Sequence, residues 1–206
     1  MCARFEQNIG PAECHQLLLT LGLTMVVPSP RAPTVLPTDQ AIVFSRERIF
    51  QASFGLQRVG RPMLINARSE SMHERPTFRR LLDRGRALVP MNGFYESGPA
   101  GIVLFSPSAT TPLIFAAGLV DYSLQSFVIL TRDADEFVAP IHDRMPALVR
   151  PSNALSWLVD GVLQYDAIAL DTTTLPTSER KNRQLKTATN AQCDEPGPLF
   201  EQGRLE

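Results

Sequence analysis

Residues 87–131, ALVPMNGFYESGPAGIVLFSPSATTPLIFAAGLVDYSLQSFVILT, decide the fold. Within them 87–90, 102–105, 113–119 and 126–131 are short runs rich in Val, Ile, Leu and Phe, and Gly, Pro or Ser separates each from the next. Short apolar runs between turn formers read as strands, because a helix needs a longer stretch without Gly or Pro. On the amino-terminal side, 41–44 and 49–54 flank Ser45-Arg46-Glu47-Arg48 as a hairpin, and 63–66 is a short strand ending in a polar cluster. Helices are expected at 12–23, after Pro11, and at 76–84, opened by Pro76 and closed by Gly85. Prolines 28, 30, 33 and 37 make an extended loop between them. On the carboxy-terminal side the pattern predicts helices at 133–138 and 152–159, a last strand at 165–170 and a loose tail from about Cys193. Strands outnumber helices and do not alternate with them. The expectation is an α+β fold with a curved, mainly antiparallel sheet and peripheral helices, in one domain over 1–195 with a loosely ordered tail at 196–206.

The chain has 206 residues, 44% hydrophobic and 20% charged, with a net charge of −1. The charge is uneven: seven arginines fall in 61–86 against Glu70, Glu74 and Asp83, while 87–206 is acidic. The basic segment reads either as a phosphate-facing patch or as a solvated helix face. Three cysteines, at 2, 14 and 193, have no paired or zinc-type spacing, so a reducing, cytoplasmic setting without a structural metal is expected. Neither a signal peptide, an apolar span nor a phosphate-loop motif is visible, so no membrane and no nucleotide partner is expected.

Residue 2 is a cysteine, and Met1 before a small side chain is the arrangement from which an initiator methionine is trimmed. A mature chain starting at Cys2 carries a free α-amine beside its thiol. Such an aminothiol captures aldehydes, the amine condensing to an imine and the thiol closing a five-membered thiazolidine. With ordinary values near about 7.8 and 8.5, roughly one such amine in seven is neutral at pH 7 and only a few per cent of thiols are ionised. The chemistry needs neighbours.

Polar clusters further along could supply them. In Ile65-Asn66-Ala67-Arg68-Ser69-Glu70-Ser71, Asn66 could orient a reacting group and Arg68 could grip a phosphate, although the same residues would also cap a strand end. In Asn92-Gly93-Phe94-Tyr95-Glu96, aromatic neighbours suggest an acid held against apolar surface, with a tight turn and a solvent-facing Glu96 as the alternative. In Pro140-Ile141-His142-Asp143-Arg144-Met145-Pro146, a histidine fixed between prolines suits a positioned acid or base.

Taken together, MCARF at 1–5, INARSES at 65–71, LVPMNGFYE at 88–96, FAAGL at 115–119 and APIHDRMP at 139–146 resemble the SOS-response-associated peptidase (SRAP) family, also called abasic-site processing proteins. The resemblance spans about residues 1–160. It implies an open, barrel-like curl of the sheet, and a cofactor-free protein, expected to be a monomer and nucleoid-associated if bacterial, that crosslinks to abasic sites in single-stranded DNA. Carried over by motif, Cys2 is the covalent nucleophile, Asn66 positions the sugar and the amino terminus, Glu96 assists ring opening and proton transfer, and His142 acts in imine formation and reversal. Arg4, Arg68 and Arg144 would hold the flanking phosphates. The chain departs from the family pattern at Ala3, where Gly is usual, at Phe54-Gly55-Leu56, where a Trp is common, and at Ser97-Gly98-Pro99, where Trp and lysines are common. Those elements are associated with base stacking and wedging of the duplex. Two alternatives stand beside this reading: an amino-terminal-nucleophile hydrolase, and a DNA-binding module without chemistry.

Overall fold

The expected hairpin forms in the computed structural model, which describes residues 2–9, 33–108, 113–165 and 168–175. Strands β3 (Gln40–Ser45) and β4 (Ile49–Phe54) pair antiparallel. Their turn is held by Ser45, whose Oγ donates to the Arg48 carbonyl at 2.8 Å and accepts the Arg48 N–H at 3.1 Å. The helix expected at 12–23, most of the 28–37 loop and the tail from Cys193 lie outside the described residues.

The runs of 87–131 become β8 (Arg86–Met91), β10 (Gly101–Pro107), β11 (Ile114–Asp121) and β12 (Ser126–Asp133). Hydrogen bonding runs from β12 to β4, β3, β8, β11 and back to β12, so the eight-stranded sheet curls into a ring. Three further strands complete it: β7 (Asn66–Arg68) pairs with β12 in parallel, β13 (Arg144–Pro146) pairs with β12 antiparallel, and β14 (Leu148–Val149) pairs with β11 antiparallel. A second sheet has five strands, in the order β15 (Leu170–Leu175), β10, β9 (Gly93–Gly98), β1 (Phe5–Glu6) and β2 (Thr34–Val35).

Side-chain alternation divides the core into two clusters, one on each face of the ring-like sheet. Ile42, Phe44, Leu88, Phe115 and Val128 belong to one, where Phe78, Leu81, Leu82 and Trp157 cover them. Ala41, Val43, Val89, Ala116 and Phe127 belong to the other, against Phe5, Phe94 and Phe105 of the five-stranded sheet. Phe5 meets Phe54 edge-on at 5.4 Å between centroids, and Phe54 stacks on Phe127 at 5.3 Å. Each such burial stabilises the fold by about 1.5–3 kcal/mol, so the amino-terminal strand is fastened by packing before any hydrogen bond is counted. Cys2 belongs to this second cluster and is fully buried.

Several expected boundaries move. The 76–84 helix is α-helical only over α1 (Pro76–Arg79), after which Leu81 and Leu82 bond back three residues, to Phe78 and Arg79, in a tighter turn. The 63–66 strand divides at Ile65 into β6 (Arg61–Leu64), which pairs with β5 (Leu56–Arg58), and β7. No helix forms at 133–138: Asp135 Oδ1 accepts the Phe137 and Val138 N–H groups in a local turn, and Pro140 cannot extend it. The last strand is Leu170–Leu175 rather than 165–170, in the register that β10 offers as antiparallel partner. The 152–159 helix forms as a composite, a 3-10 turn at Pro151–Asn153 leading into a π-helical turn at Ser156–Asp160. Gly161, with φ of 73°, ends it. Arg86 caps it through its guanidinium, on Leu158 O at 3.2 Å and Val159 O at 2.8 Å.

Candidate active site around Cys2

The buried side chain of Gln7, directly after β1, ties the amino-terminal segment to the ring-like sheet. Gln7 Nε2 donates to Ile42 O and to Pro90 O, both at 2.9 Å, and Gln7 Oε1 accepts the Ile42 N–H at 2.6 Å. Sequence reading missed Gln7; its position two residues after Phe5 gives no hint of burial. On the other side, β1 lies against β9, with Phe5 opposite Phe94 and Glu6 opposite Gly93. A Cβ on Gly93 would stand 2.7 Å from the Phe105 carbonyl oxygen, so the close approach of β9 to β10 requires glycine there. Asn92-Gly93 is therefore a crossing between sheets and not a hairpin turn.

That crossing decides where Glu96 goes. Glu96 lies on β9 at 4% exposure, so the solvent-facing alternative is excluded. Burial raises its pKa, against the opposing pull of the positive amino terminus and of His142. Its Oε2 is 3.7 Å from His142 Nε2. His142 follows the Asp135 turn and is held through Nδ1, which accepts the Arg144 N–H at 2.9 Å. The same nitrogen lies 3.0 Å from Asp143 Oδ1 and 3.1 Å from Arg144 O. With the Arg144 N–H as its partner at Nδ1 a neutral ring carries its proton on Nε2, toward Glu96; with Asp143 Oδ1 or Arg144 O as partner it carries the proton on Nδ1, and a protonated ring finds acceptors at both ends.

From the third direction Asn66, first residue of β7, donates Nδ2–H to the Cys2 carbonyl oxygen at 2.9 Å across 64 residues of sequence. The parallel pairing of β7 with β12 sets Asn66 beside Ile129 on the face that carries Cys2. The contacts form two pairs drawn from separate segments, Asn66 on Cys2 and His142 on Glu96, and the Glu96 charge reaches the Cys2 thiol, so the four residues lie close together. The Cys2 Sγ–H points to Arg4 O at 3.8 Å. Burial, then the Glu96 charge, push the thiol well above its ordinary range, so at neutral pH it stays protonated.

The arginines have different fates. Arg68 is exposed at the end of β7. Arg4 stacks on the Tyr95 ring, its guanidinium carbon 3.9 Å from the centroid, while the Tyr95 hydroxyl donates to Glu6. Arg144 is 8% exposed and bonded inward: Nη1 to Glu70 Oε1 at 2.6 Å, Nη2 to Glu70 Oε2 at 3.0 Å and to Thr131 O at 2.8 Å, with Asp133 as a further partner. The basic segment at 61–86 also divides. Arg80 pairs with Asp121 at 2.5 Å and Arg86 is the helix cap, while α1 packs on the cluster opposite Cys2. Only Arg68 of that segment adjoins Asn66 on β7. Among the described residues no group of three or more His, Cys, Asp or Glu is placed to hold a metal ion, and no helix is long and apolar enough to cross a membrane.

Fold and site define a curled β-sheet protein whose amino-terminal strand delivers a buried cysteine to an Asn, a Glu and a His. The family model of the SOS response associated peptidases (SRAP) matches residues 1–190, and the chain belongs to that family. It is 33% identical over 113 residues to the abasic site processing protein YoaM of Bacillus subtilis, covering 50% of this chain and 49% of that protein. It is 31% identical over 107 residues to the abasic site processing protein YedK of Escherichia coli, covering 48% of each. The chain thus spans about half the length of these curated relatives. In fold it is similar to a crystal structure of a protein from Bordetella bronchiseptica, with TM-score 0.69 and 17% identity over 85% of this chain and 100% of that one. A protein from Bacteroides thetaiotaomicron gives TM-score 0.69 at 16% identity, over 87% of this chain and 94% of that one.

Proposed function

We propose that this protein captures the aldehyde of abasic sites in single-stranded DNA, forming a thiazolidine between the ring-opened sugar and Cys2 once Met1 is removed. The carrying observation is the hydrogen bond from Asn66 to the Cys2 carbonyl: it holds the backbone of the reacting residue while leaving amine and thiol unconsumed.

The protonation states suggest the order of steps. A thiol held protonated is a poor first nucleophile, so the amine, neutral in part near pH 7, attacks first. Attack on the aldehyde carbon gives a carbinolamine, and loss of one water gives the imine. The thiol then adds across the C=N bond: sulfur bonds to carbon, and the thiol proton ends on nitrogen. Glu96, whose burial raises its pKa above the ordinary glutamate value, is the group that donates to the sugar oxygen during ring opening and to the departing hydroxyl. His142, facing Glu96, exchanges that proton with solvent and serves the reverse reaction.

Exposed Arg68 and Tyr95-stacked Arg4 are assigned to the flanking phosphates. Arg144 could join them only by leaving Glu70 or Asp133. The hydrolase alternative fits less well, because a thiolate nucleophile needs a lowered thiol pKa, and burial raises this one.

Incubation with a single-stranded oligonucleotide bearing one abasic site should give an adduct that survives denaturation, absent with Cys2→Ala. A wild-type protein with a verified amino-terminal cysteine that gives no adduct refutes the proposal.

A further inference from the structure

Arg144 carries out two tasks with opposite ends. Its main-chain N–H fixes His142 Nδ1 at 2.9 Å, and its guanidinium is anchored inside the fold. Asp133 is its cross-strand neighbour and holds it from β12. Glu70 holds it from elsewhere: both carboxylate oxygens engage the guanidinium, at 2.6 and 3.0 Å, across 74 residues. A two-point contact of this kind fixes orientation as well as distance. Glu70 comes two residues after β7, the strand that delivers Asn66, and Ser69 between them donates its backbone N–H to Thr131 O at 2.9 Å. The strand that pins Cys2 and the loop that carries His142 therefore meet at the Glu70–Arg144 pair.

We propose that Glu70 is a positioning residue for His142, acting through Arg144, and that it sets the ring against Glu96 before DNA arrives. The Arg144 hydrogen bond lowers the Glu70 pKa, so the carboxylate stays charged and the clamp closed at neutral pH. In this account the Arg144 side chain serves first as a strut of the active site. Loss of Glu70 leaves Asp133, Thr131 and the β12–β13 pairing in place, so the segment stays folded while the guanidinium, held then from β12 alone, loses its two-point clamp and loosens its hold on the His142 loop.

The kinetic consequence rests on the crosslinking function proposed above; the positioning itself can be read without DNA. Nitrogen-15 spectra of the imidazoles in DNA-free protein should show His142 as the Nε2-protonated tautomer, and as a tautomer mixture in Glu70→Ala. Glu70→Gln, which keeps the side-chain shape but loses the charge, should fall between them. On abasic single-stranded DNA, Glu70→Ala should slow adduct reversal about tenfold in the wild-type background and have no effect in the His142→Ala background, because residues acting through one another are not additive. An unchanged His142 spectrum in Glu70→Ala overturns the proposal, and so does an equal loss of rate in both backgrounds. If wild type forms no adduct yet the His142 spectrum responds to Glu70→Ala, the crosslinking reading fails and the positioning role is supported.

Discussion

Glu96 Oε2 and His142 Nε2 face each other at 3.7 Å, with the glutamate buried in β9 and the histidine at the rim. The separation is longer than a hydrogen bond, so a proton passes between them through one water or after a small closing of the ring on the carboxylate, and the histidine end is the more open to solvent. Glu96→Gln keeps the shape and removes the acid. Single-turnover adduct formation should slow by roughly 10²-fold, the lower end of what positioned acid–base groups contribute. Equal rates for wild type and variant would remove Glu96 from the mechanism.

The two site glutamates should shift stability with pH in opposite senses. Glu96 has a raised pKa in the fold, so its contribution is present below the ordinary glutamate value and is lost as pH rises through the folded value. Glu70 is lowered by Arg144, so its contribution is present above the ordinary value and is lost as pH falls through the folded one. At pH 7.5 thermal unfolding should therefore show Glu96→Gln more stable than wild type and Glu70→Gln less stable. Near pH 4 both differences should shrink. Shifts of the same sign at pH 7.5 would contradict the assigned environments.

Asn66→Ala removes the donor to the Cys2 carbonyl and little else, at a cost of about 1 kcal/mol in stability. Its effect on rate should be larger, on the order of 10²-fold slower adduct formation, because a reacting group displaced by about 1 Å loses that much. Asn66→Asp should be no better, since a carboxylate cannot donate. Crosslinking by Asn66→Ala at the wild-type rate would mean that the hydrogen bond does not position Cys2.

Gln7→Ala should be the costlier change for folding. It strands two carbonyls and an N–H that Gln7 satisfies inside the core, and a loss of about 3 kcal/mol is expected from that many buried unpaired groups. Chemical denaturation measures it, and an effect below about 1 kcal/mol would show that water reaches those groups.

The strands were legible because their residues are apolar in short runs bounded by turn formers, and β8, β10, β11 and β12 lie within a residue or two of where the pattern puts them. The segments around Asn66, Glu96 and His142 were legible because each breaks an apolar pattern with polar residues. What stayed hidden is pairing at long range. That Asp135 would cap its own turn and forestall a helix depends on Pro140 and on the Met145 contact at 3.4 Å. That Gln7 is buried depends on Ile42 and Pro90, and that Arg144 turns inward depends on Glu70. No local rule links these partners. The arginine-rich 61–86 segment shows the same limit: its charge is visible in sequence, but the commitment of Arg80 and Arg86 to structure is not.

The mass of the intact adduct tests the central claim most directly. Protein incubated with an abasic single-stranded oligonucleotide should give a species equal to the chain without Met1 plus the oligonucleotide minus one water. Borohydride added after completion should leave its mass unchanged, because the thiol has closed the ring over the imine. An adduct that retains Met1, or one that borohydride converts by two hydrogens throughout, would contradict ring closure by Cys2.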